Sequence, residues 1–247
     1  MNVVVDSELH FLRDDLPPRM IQALHQNLTR ANPDHQQRKR MKFSTKDIQP
    51  RFSFVRESGR RIYIPRGALS LLRDLAKAYN VSLEFTNCTT SNRGTGKTLA
   101  DLPITLRDYQ KQAVEKLLRR VQGYVRLPCG AGKTVLGCAA VVLSGESTVV
   151  LVHTVDLAKQ WKDTFSKLYG VKVRSVKSWA PLVAGEVAVV MVQTLNKAGV
   201  RASAFLASAG CVMLDECHHV PASTFREIFK YTNARFRWGL TATPERE

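Results

Sequence analysis

From residue 101 onward, short apolar segments alternate with longer segments in which apolar residues recur at helical spacing. This alternation is typical of βαβ units, whose strands run parallel and whose helices cover both faces of the sheet. The predicted strands lie at residues 123–127, 148–152, 171–176, 186–192, 211–215 and 235–240. The predicted helices lie at residues 107–121, 133–143, 155–169, about 198–208 and 221–231. The pattern therefore predicts an α/β domain over residues 101–247 whose ligands bind at the carboxyl ends of the strands.

Residues 1–100 lack that alternation, and they are predicted to form a small, basic α+β region. Apolar and polar residues alternate over residues 51–66, which predicts two short strands around a turn. A helix is predicted over residues 67–80, because the apolar residues there form one stripe. The polar, glycine-containing segment 86–100 is predicted to be the linker between the two regions.

The net charge gives the first indication of a partner. The chain holds 37 Lys and Arg residues against 21 Asp and Glu residues, which gives a formal net charge of +16. A field of that sign attracts polyanions, and nucleic acid is the most common polyanion in a cell. A solvated basic surface without a specific partner is the alternative that charge alone leaves open. Basic residues are dense at residues 36–46, which include Arg38, Lys39 and Arg40.

Composition also excludes several classes of protein. No uninterrupted apolar stretch reaches the roughly 18 residues that a membrane span needs, and the first residues are acidic where a secretory signal is basic. The five cysteines form no CxxC pair, which argues against a disulfide framework or a zinc ribbon. Cys217, His218 and His219 are adjacent, and adjacent side chains rarely converge on one ion, so no zinc site is expected there. We therefore expect a cytoplasmic or nucleoid-associated protein.

Two segments contain the pattern GxGKT, but one of them has the context that a phosphate-binding loop needs. Residues 94–98 come shortly before Pro103, which leaves little room for a helix, so they are predicted to belong to the linker. Residues 127–134, LPCGAGKT, join a predicted strand to a predicted helix. Backbone amides and the positive end of the helix dipole can therefore meet phosphate oxygens there. Leu127 departs from the full phosphate-loop pattern, which has glycine at that position.

The residues of this loop have separate predicted roles. Gly130 and Gly132 allow the backbone to approach the phosphates closely, and Lys133 contacts the β- and γ-phosphates. Thr134 is predicted to ligate Mg²⁺ through its hydroxyl group. The other loop residues predicted to contact the nucleotide are Pro128, Cys129 and Ala131.

A second candidate element is the segment CVMLDECHH at residues 211–219, a buried strand that ends in two carboxylates. The end of that strand delivers both acidic side chains to the same edge of the sheet as the phosphate loop. Asp215 is predicted to hold Mg²⁺ through water, and Glu216 to orient and deprotonate the attacking water. The alternative is that the two acids merely cap the next helix.

Six motifs in order resemble those of superfamily 2 helicases and translocases, and they are most similar to the XPB-like branch. LRDYQ (106–110) resembles the Q motif, LPCGAGKT motif I, LVHTVDLAKQW (151–161) motif Ia, VVMVQTL (189–195) motif Ib, DECH (215–218) the DEAD/DEAH box and GLTATP (239–244) motif III. The resemblance covers about residues 101–247. It implies a RecA-like domain that binds ATP and Mg²⁺ and acts on nucleic acid, DNA in preference to RNA.

The resemblance also implies roles for residues outside the phosphate loop. The adenine-side residues are Arg107, Tyr109 and Gln110, and the residues that couple the ATP site to nucleic acid are His218, Thr241 and Thr243. The residues expected to contact nucleic acid are His153, Thr154, Gln193 and Thr194, for which ordinary helix capping is the alternative. Trp161 and Trp238 are expected in the core rather than stacked on bases.

Motors of this family have two RecA-like domains, and the second supplies arginines that stabilise charge on the transferring phosphoryl group. The sequence ends at PERE directly after motif III, so it is expected to be the first half of such a motor. One function left open is an ATP-dependent translocase that receives its second RecA-like domain in trans. The other is a module that binds ATP and nucleic acid without turnover. Motifs Ia and III count against a third class, a signalling or transport ATPase.

Overall fold

A computed structural model describes residues 1–94, 96–217 and 228–242 of the chain. The chain divides into two compact units, Met1–Cys88 and Thr89–Glu247. In the described ranges, no helix combines the length and the apolar composition that crossing a membrane requires.

The first unit is an α+β fold built around a mixed sheet. Its strands are β1 Asn2–Val5, β2 Leu9–Leu12, β3 Thr29–Ala31, β4 Arg51–Ser53, β5 Arg56–Ser58, β6 Arg61–Ile64 and β7 Glu84–Asn87. Its α-helices are α1 Pro18–Asn27, α2 Pro33–Arg40 and α3 Leu69–Ala78. The main sheet has the order β5-β6-β2-β1-β7, in which β7 pairs parallel to β1 and the other pairs are antiparallel. Strands β3 and β4 form a separate two-stranded ribbon.

Helix α3 and the hairpin of the first unit agree with the sequence pattern. Leu72 and Ala76 of α3 are buried in a core with Phe11, Ile62 and Ile64. The turn between β5 and β6 follows Ser58, as the alternation predicts. The first predicted strand differs because it is split into β4 and β5.

The split has a local cause. The Ser53 hydroxyl accepts a hydrogen bond from the Val55 amide at 3.1 Å, which turns the chain away from an extended course. Strand β4 therefore pairs with β3, while β5 pairs with β6 in the main sheet.

The second unit is an α/β fold with a fully parallel sheet. Its strands are β8 Gln122–Arg126, β9 Thr148–Val152, β10 Val173–Arg174, β11 Val187–Met191, β12 Cys211–Leu214 and β13 Phe236–Thr241. Its α-helices include α4 Asp108–Arg119, α5 Lys133–Ser144, α6 Val155–Tyr169, α7 Val192–Ala198 and α8 Ser203–Ala207. The six strands have the order β10-β11-β9-β12-β13-β8.

Two hydrophobic cores cover the two faces of this sheet. Val150 and Val152 of β9 belong to one core with residues of α4, α5 and α6. Val149 and Leu151 of the same strand belong to the other core with residues of α7 and α8. Because successive side chains of a strand point to opposite faces, a strand buried on both faces is apolar throughout. The predicted α/β class and the parallel sheet with helices on both faces are confirmed.

Some predicted boundaries of the second unit were wrong. The strand predicted over residues 171–176 is only Val173–Arg174. The helix predicted at about 198–208 is interrupted at Gly199, which adopts a φ of +55° and begins a 3-10 turn between α7 and α8. Most of the helix predicted over residues 221–231 lies outside the described residues.

Segment 86–100 also differs from the predicted linker, because its first part belongs to the folded units. Strand β7 extends to Asn87, and the Ser91 hydroxyl and the Asn92 amide both donate to the buried carboxylate of Glu146, at 2.6 and 2.7 Å. The Thr90 amide donates to the Asn233 carbonyl at 2.8 Å. A buried carboxylate needs such donors to offset its desolvation, so Glu146 fixes the start of the second unit.

Replacing Gly137 of α5 with alanine is expected to lower the free energy of unfolding by about 1–3 kcal/mol, as overpacked cores do. A Cβ atom there would overlap the Trp161 ring and lie 2.9 Å from a Leu240 methyl carbon, which outweighs the better helix propensity of alanine. Urea unfolding measures the change. Gly123→Ala is the matched control, since a Cβ atom at Gly123 meets nothing within 4 Å. An equal loss in both variants would contradict the steric explanation.

Candidate nucleotide-binding site

The loop between β8 and α5 has the backbone geometry of a phosphate cradle. Gly130 and Gly132 adopt φ values of +79° and +77°, in the left-handed region that favours glycine. Gly132 is the N-cap of α5, so the amides of the first helical turn and the positive end of the helix dipole face the loop. Thr134 in that turn is buried. The loop residues Pro128, Cys129 and Ala131 lie between strand and helix as the sequence predicts.

Lys133 contacts the acidic strand end. Its Nζ atom lies 3.2 Å from Glu216 Oε1 and 3.5 Å from the Leu127 carbonyl oxygen. Glu216 is the second residue after β12 and adopts a φ of +46°, which is costly for a residue with a side chain. Its other carboxylate oxygen accepts the Ala242 amide at 3.3 Å. Glu216 therefore contacts both the loop lysine and Ala242 of motif III.

Asp215 is more deeply buried than Glu216, with 3% of its surface exposed. Its Oδ2 atom accepts the Trp161 indole N–H at 2.7 Å, and its Oδ1 atom accepts the Glu216 amide at 3.0 Å. Burial raises the pKa of the Asp215 carboxyl above its ordinary value, although these two hydrogen bonds and the nearby Lys133 act in the opposite direction. The two acids thus have different environments, one enclosed and one facing the loop lysine.

The two carboxylates and the loop share one edge because of the strand order. In the parallel register Leu214 pairs with Gly239 of β13, and Thr241 of β13 pairs with Arg126 of β8. Strand β13 therefore separates the acidic strand from the phosphate-loop strand, and the Leu127 amide donates to the Thr241 carbonyl at 3.0 Å. Thr241 itself is buried. His218 and Thr243, which were also predicted to couple the sites, lie outside the described residues.

The Q-motif side chains also reach the phosphate loop. Gln110 is buried, accepts the Arg107 amide at 3.0 Å and donates to the Ala131 carbonyl at 3.3 Å. The Tyr109 hydroxyl donates to the same carbonyl at 2.8 Å, and the Arg107 guanidinium donates to the Tyr109 oxygen at 3.2 Å. A side-chain amide has two donor hydrogens and two acceptor lone pairs. These two bonds to Gln110 therefore use one donor hydrogen and one acceptor lone pair of its side-chain amide.

The residues expected to contact nucleic acid lie after two neighbouring strands. β9 pairs with β11, with Val152 beside Met191, so the segments that follow both strands start at the same edge. Gln193 donates to the His153 carbonyl at 3.0 Å and joins these segments. Thr194 is exposed in α7. Thr154 accepts the Leu157 amide at 3.2 Å, which is the helix-capping role that the sequence left open for it.

Sequence reasoning missed two contacts of the site, the Trp161 indole and the Ala242 amide. The spacing of Trp161, Phe165 and Tyr169 indicates that these residues are buried on one face of α6, and the structure confirms it. Trp238 is buried as well, as expected. The spacing gave no signal, however, that the Trp161 N–H meets a carboxylate.

In the part of the chain that the structure describes, the second GxGKT segment, residues 94–98, does not join a strand to an α-helix as residues 127–134 do. Gly94 donates its amide to the Gly145 carbonyl at 2.8 Å. Thr98 then caps a 3-10 turn at Leu99–Asp101, and no α-helix begins there. Among the described residues, Lys97 has no acidic partner comparable to Glu216.

Comparison with known proteins gives one family and several relatives. The family described as "Type III restriction enzyme, res subunit" matches residues 103–246. The chain is 33% identical over 144 residues to the DNA 3'-5' translocase XPB2 of Sulfurisphaera tokodaii, covering 58% of this chain and 32% of that protein. It is 35% identical over 156 residues to the DNA 3'-5' helicase XPB of Kineococcus radiotolerans, covering 60% of this chain and 28% of that protein. The chain thus spans about a third or less of the length of these two relatives.

Solved structures extend the fold similarity to the first unit. The UvsW helicase from bacteriophage T4 is similar over 98% of this chain and 93% of its own, with a TM-score of 0.69 and 18% identity. The SWI2/SNF2 ATPase core of Sulfolobus solfataricus in complex with double-stranded DNA covers 61% of this chain and 35% of its own, with a TM-score of 0.50 and 16% identity. At these identities the likeness concerns the fold alone.

Proposed function

The chain belongs to the type III restriction enzyme res subunit family of superfamily 2 helicases, and from this membership we propose that it is the ATP-binding half of a DNA translocase. In that role it couples the binding and hydrolysis of ATP to movement along DNA. Relatives named as DNA 3'-5' translocases and helicases support DNA over RNA.

The observation that carries this proposal is the contact between Lys133 and Glu216 at the carboxyl edge of the sheet, at 3.2 Å. A lysine at the start of a helix, after a loop of left-handed glycines, suits the triphosphate of ATP. When the γ-phosphate of ATP binds Lys133, it replaces Glu216 as the anionic partner of the lysine. Glu216 then becomes available to orient water and to accept its proton.

The residues present also fit Mg²⁺. Hard oxygen donors suit this ion, and Thr134 offers a hydroxyl group while Asp215 offers a carboxylate with one lone pair left on each oxygen. When bound, Mg²⁺ neutralises charge that develops on the phosphate oxygens. The chain's own contribution is a carboxylate whose orientation is fixed before nucleotide arrives.

His153, Thr154, Gln193 and Thr194 are proposed to contact the DNA backbone, since they follow neighbouring strands at the same edge of the sheet as the ATP site. Arginines that complete the catalytic site are proposed to come from a second RecA-like domain, supplied by another chain or another copy. Thr241 is proposed to transmit changes between the two sites, because its carbonyl holds the first residue of the phosphate loop.

Steady-state ATP hydrolysis by the 247-residue chain, with and without single- and double-stranded DNA, tests the proposal. We expect turnover that DNA stimulates and that Lys133→Ala abolishes. ATP binding without any turnover would mean that the second domain must come from another chain, or that this chain is a module that binds ATP and nucleic acid but does not hydrolyse. Failure to bind ATP would contradict both.

Charge reversal of Arg38, Lys39 and Arg40 at the end of α2 is expected to weaken DNA binding and to reduce its salt dependence. No residue of α2 is buried, and its last turn is entirely basic, so these side chains are available to phosphates. Each lost phosphate contact should lower the slope of log affinity against log salt by about 0.9. DNA titrations at several salt concentrations measure both quantities.

The matched control reverses Arg19, Arg73 and Lys77, which are exposed on α1 and α3 of the same unit. It changes the net charge by the same amount. If both variants reduced the slope equally, the effect would come from the general field of the protein, and α2 would be only a solvated basic face.

A further inference from the structure

We propose that Trp161 is a positioning residue that fixes the Asp215 carboxylate for Mg²⁺ through its indole N–H. This inference rests on the proposed ATP site and deepens it. It concerns the last residue of motif Ia, a segment otherwise expected to serve nucleic acid.

The contact between Trp161 and Asp215 is a short hydrogen bond inside the core. Trp161 is fully buried, and its Nε1 atom donates to Asp215 Oδ2 at 2.7 Å, which is short for an N–H···O bond. A charge-assisted hydrogen bond in a buried site is among the stronger ones. Because the Glu216 amide holds the other oxygen at 3.0 Å, the two bonds together fix the plane of the carboxylate.

The surroundings of the indole hold it in place. The ring lies so close to Gly137 that a side chain there would overlap it, and the Phe165 ring packs at 5.8 Å between centroids. Gly137 is one helical turn after Lys133 in α5. The indole therefore extends from α6, packs beside Gly137 of α5 and reaches Asp215, the residue directly after β12.

Groups that hydrogen-bond to metal-ligating side chains orient these side chains and affect the affinity of the site for the metal. Loss of such a partner typically costs about 10–100-fold in metal affinity. Among the described residues, the Trp161 indole is the side-chain hydrogen-bond donor to the Asp215 carboxylate. Removal of the indole N–H should therefore act on the Mg²⁺ dependence of nucleotide binding rather than on the nucleotide itself.

The test compares Trp161→Phe with Trp238→Phe. Trp238 is the matched control, because it is buried in the same core and donates its N–H to a backbone carbonyl, that of Arg120, at 3.4 Å. Equilibrium binding of a fluorescent ADP analogue is titrated with Mg²⁺ in each variant. We expect Trp161→Phe to raise the Mg²⁺ concentration at half-saturation by about 10-fold or more, and Trp238→Phe to change it less than twofold.

The results separate this inference from the proposed function. If the unmodified chain did not bind Mg²⁺ and nucleotide together, the proposed function itself would fail. If it bound them, and the two variants shifted the Mg²⁺ requirement equally or not at all, the role of Trp161 alone would be overturned. Urea unfolding of both variants shows whether the losses of stability are comparable.

A second measurement covers the case in which Trp161→Phe does not fold. The chain has three tryptophans, so its ¹⁵N spectrum holds three indole N–H signals. The signal of Trp161 is the one that remains in both Trp238→Phe and Trp179→Phe. We expect it to shift when Mg²⁺ is added to the ADP-bound protein. An unchanged signal, with nucleotide bound, would overturn the inference.

Discussion

Replacement of Lys133 with alanine is expected to weaken ATP binding by about 2–5 kcal/mol, the cost of removing one partner of a buried, hydrogen-bonded charge pair. This corresponds to roughly 30-fold to several thousand-fold in Kd. The side chain of Lys133 is only 11% exposed and lies beside Glu216, so its ammonium group acts where water screens it poorly. Competition with a fluorescent nucleotide measures the loss. DNA affinity without nucleotide should change little.

The sequence contains its own control for this experiment. Lys97 occupies the same place in a GxGKT pattern, but it precedes a 3-10 turn rather than an α-helix. Lys97→Ala should leave ATP affinity unchanged. If both substitutions weakened ATP binding equally, the GxGKT pattern would suffice for ATP binding without a flanking strand and helix. If Lys133→Ala lost DNA binding together with ATP binding, the substitution would have unfolded the domain.

Glu216→Gln is expected to retain nucleotide and to slow hydrolysis by about 10²–10⁴-fold, the usual contribution of a general base. Glutamine keeps an oxygen that can accept the Ala242 amide, which the carboxylate accepts at 3.3 Å. It cannot take a proton from water. Single-turnover hydrolysis with protein in excess over ATP, in the presence of DNA, isolates the chemical step.

Glu186→Gln serves as the control for this second substitution. Glu186 is also a partly exposed carboxylate in an ion pair, with Arg174 at 3.1 Å, but it lies before β11 rather than after β12. Its loss should not change the hydrolysis rate. A normal rate in Glu216→Gln would remove Glu216 from the role of general base.

The sequence predicts those parts of this molecule that depend on local patterns. Apolar strands at regular intervals predict the parallel sheet, and a strand–loop–helix context identifies residues 127–134 over residues 94–98. Adjacent acids at the end of a buried strand predict that Asp215 and Glu216 lie at the edge where ligands bind. The structure brings Lys133 and Glu216 into contact there, and their chemical roles stay predictions.

The parts that could not be predicted depend on contacts between distant segments. Trp161 and Asp215 are 54 residues apart in the chain, and periodicity identifies a buried ring without identifying what its N–H meets. The same is true of Gln110, whose bond to Ala131 depends on how α4 packs against the loop. Glu146 stands between apolar segments, and nothing in its neighbourhood indicates that residues 91 and 92 supply its donors.

The attachment of residues 90–93 to the second unit has a mechanical consequence. These residues bond to Ser144 and Glu146, shortly before β9, and to Asn233, shortly before β13. They are therefore held at the amino ends of the strands, whereas the phosphate loop follows the carboxyl end of β8. A tensile load applied at the exposed thiol of Cys88 would enter this unit at the strand ends remote from ATP. It would strain the bonds to Glu146 before it distorted the phosphate loop, so a force probe attached there would leave the nucleotide cradle undisturbed at low load.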